Sequence, residues 1–207
     1  MVKVKLCGFS NKETVDLAAS LDVDFLGFIF CETSPRNISP EKAKEITEGL
    51  PANVKKVAVI VDADNDKIAH IAENLKPDYL QLHGKESPER VLEIKNLFHI
   101  PIIKAVAISN KNDLLKVKGY ENIVDFFLFD TKVGNSSGGS GKIFDWEILQ
   151  NLKISKNWFL SGGLNIDNID FALKSTKAKM IDLSSGIEKT KGVKSRSMIK
   201  NMMNFLK

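Results

Sequence analysis

A thiol, a carboxylate, an arginine and two glycine–serine loops are the groups in this sequence with the chemistry of an active site. Cys7 closes the alternating stretch KVKLC just before Gly8. Lys5 lies two residues earlier on the same face, and a nearby cation favours the thiolate. An isolated cysteine is also commonly an inert buried thiol. Asp130 ends the run VDFFLFD in a carboxylate, where a turn or helix cap is the plainer alternative. Arg36 sits in SPRNISP, and its guanidinium is built for two-point pairing with a carboxylate, although a solvated surface arginine fits that stretch equally well. LSGGL, Leu160 to Leu164, and LSSGIE, Leu183 to Glu188, combine glycines that let backbone N–H groups approach an anion with serine hydroxyls that add donors. His83 reads either as a donor in a site or as a satisfied core histidine. His70 and His99 fall in helix-like segments, and the three histidines and two cysteines have no metal-ligand spacing, so no metal is expected.

The elements that must hold these groups alternate along the chain. VKVKLCG, DFLGFIF, KKVAVIV, DYLQLHG, PIIKAVA, VDFFLFD, NWFLSGG and KMIDLSSG have strand character. Helical patterns such as ETVDLAASL, PEKAKEITEGL, NDKIAHIAENL, SPERVLEIKNLF and NIDNIDFALKS lie between them. Ser10 or Asn11 caps the first helix, and Ser39-Pro40 and Ser87-Pro88 set proline at the first helical position behind a serine cap. Strands separated by crossovers pair in parallel. The closed solution is an α/β fold, a single (β/α)8 TIM barrel of the phosphate-binding type, over residues 1–207, for which about 200 residues is the lower end of the size range. The competitor is an open doubly wound sheet, which usually carries a glycine-rich fingerprint after its first strand; Cys-Gly-Phe-Ser is not one.

In a barrel one strand face meets the helices and the other lines the lumen. Strand parity sends Val4 and Leu6 outward and Lys5 and Cys7 inward. It likewise turns Gln81 and His83 inward from strand four, Asp130 from strand six and Asp182 from strand eight. On strand five, Lys104 opposes Ile103 and Ala105 and is counted with this polar set. The polar groups gather towards the C-terminal strand ends, where barrel enzymes keep their active sites and where the loops after strands seven and eight often bind phosphate. Lys5 is expected to pair with Asp182, because strands one and eight meet on closure. Val133 to Lys142, VGNSSGGSGK, reads as a mobile loop after strand six.

Composition narrows the class. Hydrophobic residues make up 43% and charged residues 27%, enough for a sizeable core. No apolar run approaches the roughly 20 residues of a membrane span. Two cysteines and no secretory leader point to a cytoplasmic location. The net charge of +4 comes from lysines interleaved with acids, and the basic run Lys189 to Arg196 has no aromatics for base stacking, which argues against a nucleic-acid partner.

The ordered motifs KLCG, GFIF-x3-SPR, QLHG, IKAV, FDT, GGSGK-x-FDW, LSGGL and DLSSGIE resemble those of the phosphoribosylanthranilate isomerase family, collinearly from Lys5 to Glu188. The resemblance implies a cofactor-free Amadori rearrangement in tryptophan biosynthesis, from N-(5-phosphoribosyl)anthranilate to 1-(2-carboxyphenylamino)-1-deoxyribulose 5-phosphate. It implies Cys7 as general base, Asp130 as general acid and Arg36 at the anthranilate carboxylate. His83 and Asp182 join the substrate contacts. Phosphate would lie at Gly162, Gly163, Ser184 and Ser185, with Gly139, Ser140 and Gly141 folding over. The partner is thus a small phosphorylated substrate, and the assembly a monomer or homodimer. Acid and base near neutral pH require an aspartate raised from about 3.9 and a thiol lowered from about 8.5; Lys5 is expected to lower the thiol. Ser195 stands where the family more often has Asp, which touches a helix cap rather than chemistry. Cys31 near the mouth is also a departure, read as packing. A sister isomerase of histidine biosynthesis normally uses two aspartates, so Cys7 speaks against it, although use of both substrates stays open. A non-catalytic phosphate sensor requires neither Cys7 nor Asp130.

Overall fold

A computed structural model describes residues 2–131, 146–149 and 154–207. Eight parallel strands close into a barrel in chain order. They are β1 (Lys3–Cys7), β2 (Phe25–Ile29), β3 (Lys55–Ile60), β4 (Tyr79–Leu82), β5 (Ile102–Ile108), β6 (Phe126–Thr131), β7 (Asn157–Ser161) and β8 (Met180–Leu183). Helices α1 (Lys12–Ala19), α2 (Pro40–Thr47), α3 (Asn65–Leu75), α4 (Pro88–Phe98), α5 (Ile169–Thr176) and α6 (Arg196–Leu206) form the outer layer, and a 3-10 segment at Lys111–Gly119 follows β5. No described helix is long and apolar enough to cross a membrane.

The caps explain where the helices begin. Asn11, Ser39, Asp64, Ser87 and Ser195 each accept from the backbone N–H three residues on, satisfying a donor the helix itself cannot. Ser195 therefore caps α6, as its position predicts.

A second device recurs at the bottom of the barrel. Asp24, Asp78 and Asp125 each precede an even-numbered strand and accept, at 2.8 Å, from a backbone N–H among the first two residues of the strand before: Val4, Lys56 and Ile102. The next residue in each case is aromatic, and Phe25, Tyr79 and Phe126 turn into the lumen with Phe159. Their rings meet at centroid distances of 5.2 to 5.8 Å. The lower lumen is thus filled by aromatic packing. Lumen layers draw on alternate strands, so the layers above carry Lys5, Val57, Ile103 and Phe159, then Gly27, Gln81, Leu128 and Asp182, then Cys7, Val59, Ala105 and Ser161. Polarity increases towards the C-terminal mouth.

Strand parity holds for β1, β4, β6 and β8. On β5 the lumen face belongs to Ile103 and Ala105, so Lys104 lies outside the polar lumen set. Its buried ammonium instead donates to the Leu82 and Gly84 carbonyls and to Glu86 Oε2, at 3.0 to 3.2 Å, fixing the segment after β4.

Candidate active site

A cleft of about 310 Å³ opens at the C-terminal ends of the strands. Cys7, Arg36, His83, Asp130, Gly162, Gly163, Asp182, Ser184 and Ser185 all line it, so the structure brings the sequence candidates together. Gly139, Ser140 and Gly141 lie outside the described residues. Ile29, Val59 and Val61 give the cleft an apolar wall suited to a flat ring.

Below the cleft, Lys5 is fully buried and its ammonium donates to Asp182 Oδ1 at 2.8 Å. Register makes the pair: Lys5 stands opposite Asp182 where β1 meets β8. Asp182 Oδ2 also accepts from the Ser161 hydroxyl at 3.3 Å. Burial lowers the Lys5 pKa, but the charges of Asp182 and Cys7 and the hydrogen bonds with them outweigh burial and leave it raised, so Lys5 is a cation.

Cys7 sits above this pair, 4% exposed. Gly27 on β2 gives it room, because a Cβ there would fall 2.7 Å from the thiol sulfur. The expected lowering of the thiol is corrected here. Burial pushes Cys7 up, Lys5 and Lys194 oppose it, Asp182 reinforces it, and burial prevails. A neighbouring lysine already matched by a carboxylate offers too little field to ionise a desolvated thiol.

Across the mouth, His83 Nε2 lies 3.5 Å from Asp130 Oδ2, and its Nδ1 meets Gln81 Nε2 at 2.9 Å. Gln81 Oε1 is buried without a hydrogen-bond partner. The three side chains form a row from the barrel interior to the carboxylate.

Arg36 is reached by the loop after β2, whose strand-like contact Ile29–Asn37 draws it back over the barrel. Glu188 grips its guanidinium through Nε at 2.6 Å and Nη2 at 2.7 Å. The sequence displayed Glu188 inside LSSGIE but gave no sign of a partner 152 residues away. Glu188 belongs to a hairpin, β9 (Glu188–Thr190) with β10 (Val193–Lys194). Lys194, equally unforeseen, donates to Glu188 Oε1 at 2.8 Å and to the Ser184 carbonyl at 3.0 Å. Burial pushes Glu188 up, but hydrogen bonds from Arg36, Lys194 and the Gly192 N–H, together with the Lys194 charge, bring it down to about 2. Burial also lowers Lys194, and its partners do not fully restore it.

The loops after β7 and β8 meet closely. Gly162 and Gly163 have φ of +101° and +67°, a region glycine enters freely, and a Cβ on Gly186 would collide with the Leu164 carbonyl. Gly162, Gly163, Ser184, Ser185 and Arg36 thus line one cleft, a residue set suited to a ligand carrying more than one anionic group.

Residues 4–205 match the family model described as N-(5'phosphoribosyl)anthranilate (PRA) isomerase. The chain belongs to the N-(5'-phosphoribosyl)anthranilate isomerase family. It is 46% identical over 199 residues to the N-(5'-phosphoribosyl)anthranilate isomerase of Agrobacterium fabrum, covering 95% of this chain and 90% of that one. The crystal structure of phosphoribosyl anthranilate isomerase from Thermotoga maritima superposes with a TM-score of 0.86 at 36% identity, covering 97% and 96% of the two chains. A family member solved with reduced 1-(o-carboxyphenylamino)-1-deoxyribulose 5-phosphate has a TM-score of 0.85 at 33% identity, covering 99% and 97%.

Proposed function

We propose that this cleft rearranges N-(5-phosphoribosyl)anthranilate to 1-(2-carboxyphenylamino)-1-deoxyribulose 5-phosphate in tryptophan biosynthesis, with Asp130 as general acid and Cys7 as general base. The observation that carries this reading is the presence of Cys7, Asp130, Arg36 and the glycine–serine loops around one cleft in a chain of that family. Neutral Asp130 protonates the ribose ring oxygen, and the C1–O bond breaks as the nitrogen lone pair forms a C1–N iminium. The Cys7 thiolate takes the C2 proton, and the electron pair forms a C1–C2 double bond while the nitrogen regains its lone pair. The enol-amine then gives up its hydroxyl proton, gains one at C1, and becomes the ketone. Arg36 receives the anthranilate carboxylate, Ile29, Val59 and Val61 the ring, and Gly162, Gly163, Ser184 and Ser185 the phosphate. His83 and Asp182 meet the sugar portion.

The productive state, neutral Asp130 with ionised Cys7, has the same net charge as ionised Asp130 with neutral Cys7. A pH–rate profile therefore reports the pair and not either member. The raised thiol disfavours the productive state at rest, and the iminium formed by ring opening supplies a cation beside Cys7 when the thiolate is needed. A small phosphorylated substrate, no nucleic-acid partner, a cytoplasmic location, a single domain and a monomer or homodimer complete the reading.

Freshly prepared phosphoribosylanthranilate mixed with the protein, followed by anthranilate-type fluorescence, tests it. Enzyme-dependent loss of the signal is expected, abolished in Cys7→Ala and in Asp130→Asn. No turnover by the intact protein would refute the assignment and redirect attention to the sugar-phosphate substrate of histidine biosynthesis.

A further inference from the structure

Arg36 is held before any substrate arrives. Its aliphatic stem passes over Gly8, where a Cβ would fall 2.5 Å from Arg36 Cδ and where φ of +88° already favours glycine. Gly192 plays the same part from the hairpin: φ is +87°, and a Cβ would fall 2.8 Å from the Pro35 carbonyl. Two glycines in neighbouring loops thus admit the arginine and the segment that carries it. Glu188 then fixes the guanidinium by its Nε/Nη2 edge. A guanidinium has five N–H donors in a planar fork. The side edge engages Glu188, which leaves the end-on edge, one Nη1–H beside one Nη2–H, in the geometry that receives a second carboxylate at two points.

Glu188 is itself over-determined. Its two oxygens accept from Arg36, from Lys194 and, at 3.1 Å, from the Gly192 N–H. Lys194 is fully buried in its side chain, and its remaining contacts reach the Ser184 carbonyl and, over 5.9 Å, the Phe9 ring. The same ammonium therefore braces the arginine clamp and the loop offered to phosphate.

We propose that Glu188, braced by Lys194, is a positioning residue that turns the free edge of Arg36 into the cleft and thereby makes the site selective for a substrate bearing a carboxylate on its ring. This rests on the assignment of Arg36 to the anthranilate carboxylate. Two cations and one anion leave the cluster one positive charge, enough to meet one carboxylate, and the orientation of that charge is what Glu188 supplies. A purely electrostatic role makes a different forecast: removing the Glu188 charge would strengthen anion binding, whereas removing the Lys194 charge would weaken it.

The signs separate the two. Calorimetric affinities are measured for reduced 1-(o-carboxyphenylamino)-1-deoxyribulose 5-phosphate and for its counterpart lacking the ring carboxylate. The ratio of the two is the carboxylate preference. It is expected to fall about tenfold to a hundredfold in Glu188→Gln and in Lys194→Met alike, the size of a lost charge-assisted interaction. Glu188→Asp, one methylene short of the fork, should fall between. KM should rise more than kcat falls, and circular dichroism should show folded protein; a merely structural role would lower the active fraction and leave the preference of the folded remainder untouched. An undiminished preference in Glu188→Gln, with the preference lost in Arg36→Met, would overturn the positioning role while leaving Arg36 as the carboxylate site. A preference retained in Arg36→Met would overturn both. If Glu188→Gln does not fold, Glu188→Asp decides by the same ratio: it keeps the charge, so a purely electrostatic role leaves the preference unchanged and a positioning role lowers it.

Discussion

Lys5 and Asp182 allow the sharpest test of how the lumen layers beneath the cleft serve the site. Their ion pair spans 2.8 Å with side-chain exposures of 0% and 6%, so Lys5 has no water to fall back on and Asp182 little. Lys5→Met leaves Asp182 buried with the Ser161 hydroxyl at 3.3 Å in place of an ammonium. Breaking a buried pair from one side costs about 3–5 kcal/mol, whereas replacing both members with apolar residues of similar volume is often neutral. Urea denaturation followed by circular dichroism should therefore show Lys5→Met destabilised by about 3 kcal/mol or more. The double variant Lys5→Met/Asp182→Leu should return to within about 1 kcal/mol of the parent. Activity should not return with stability. Lys5 pulls the Cys7 thiol down more than Asp182 pushes it up, so losing both leaves the thiol higher than in the parent and the productive protonation state scarcer, and kcat should stay low. A loss below about 1 kcal/mol in the single variant, or a double variant no more stable than the single, would refute the claim that the pair is desolvated and mutually dependent.

Gly27→Ala should reduce kcat on the order of tenfold, because its Cβ would lie 2.7 Å from the Cys7 sulfur, while overpacking costs about 1–3 kcal/mol of stability. Unchanged kcat would show that the sulfur has another place to sit. Glu188, held at about 2 in the folded chain against an ordinary 4.5, contributes about 3 kcal/mol that is fully present above pH 4.5 and lost as the pH falls towards 2. Denaturation midpoints between pH 3 and 7 should accordingly fall less steeply for Glu188→Gln than for the parent, and equal slopes would contradict the assignment.

The barrel was legible because alternation and capping are local. Period-two patterning placed Cys7, Gln81, His83, Asp130 and Asp182 on lumen faces, and the serine and asparagine caps marked helix starts. Lys104 defeats the same reasoning because a polar residue on a strand reads as a lumen residue whichever face it occupies. Its true environment, Glu86 and two carbonyls of the segment after β4, is assembled only when that segment folds back. The Arg36–Glu188 clamp escaped for a related reason: nothing near SPR or SSGIE encodes a meeting between the loop after β2 and the hairpin after β8. The thiol is misjudged in the direction of its shift, not in its neighbourhood. The sequence displayed the cation beside Cys7, but burial and the carboxylate that offsets that cation are properties of the closed barrel.

Three buried lysines meet three buried carboxylates around the upper barrel: Lys5 with Asp182, Lys104 with Glu86 and Lys194 with Glu188. Such pairs are poor sources of net stability, because desolvation consumes most of the attraction. Their placement fits a geometric role better. Lys5 and Asp182 lie beneath Cys7, Lys104 and Glu86 tie the backbone that carries His83, and Lys194 with Glu188 orients Arg36. Pairing also cancels charge beneath the thiol: Asp182 offsets the lowering that Lys5 exerts on Cys7, and burial leaves the thiol raised. Within these clusters the uncancelled positive charge resides with Arg36, at the edge of the cleft and not beneath Cys7. Under the proposed assignment, the fixed cation then serves recognition, and the cation that favours the Cys7 thiolate is the iminium formed during the reaction.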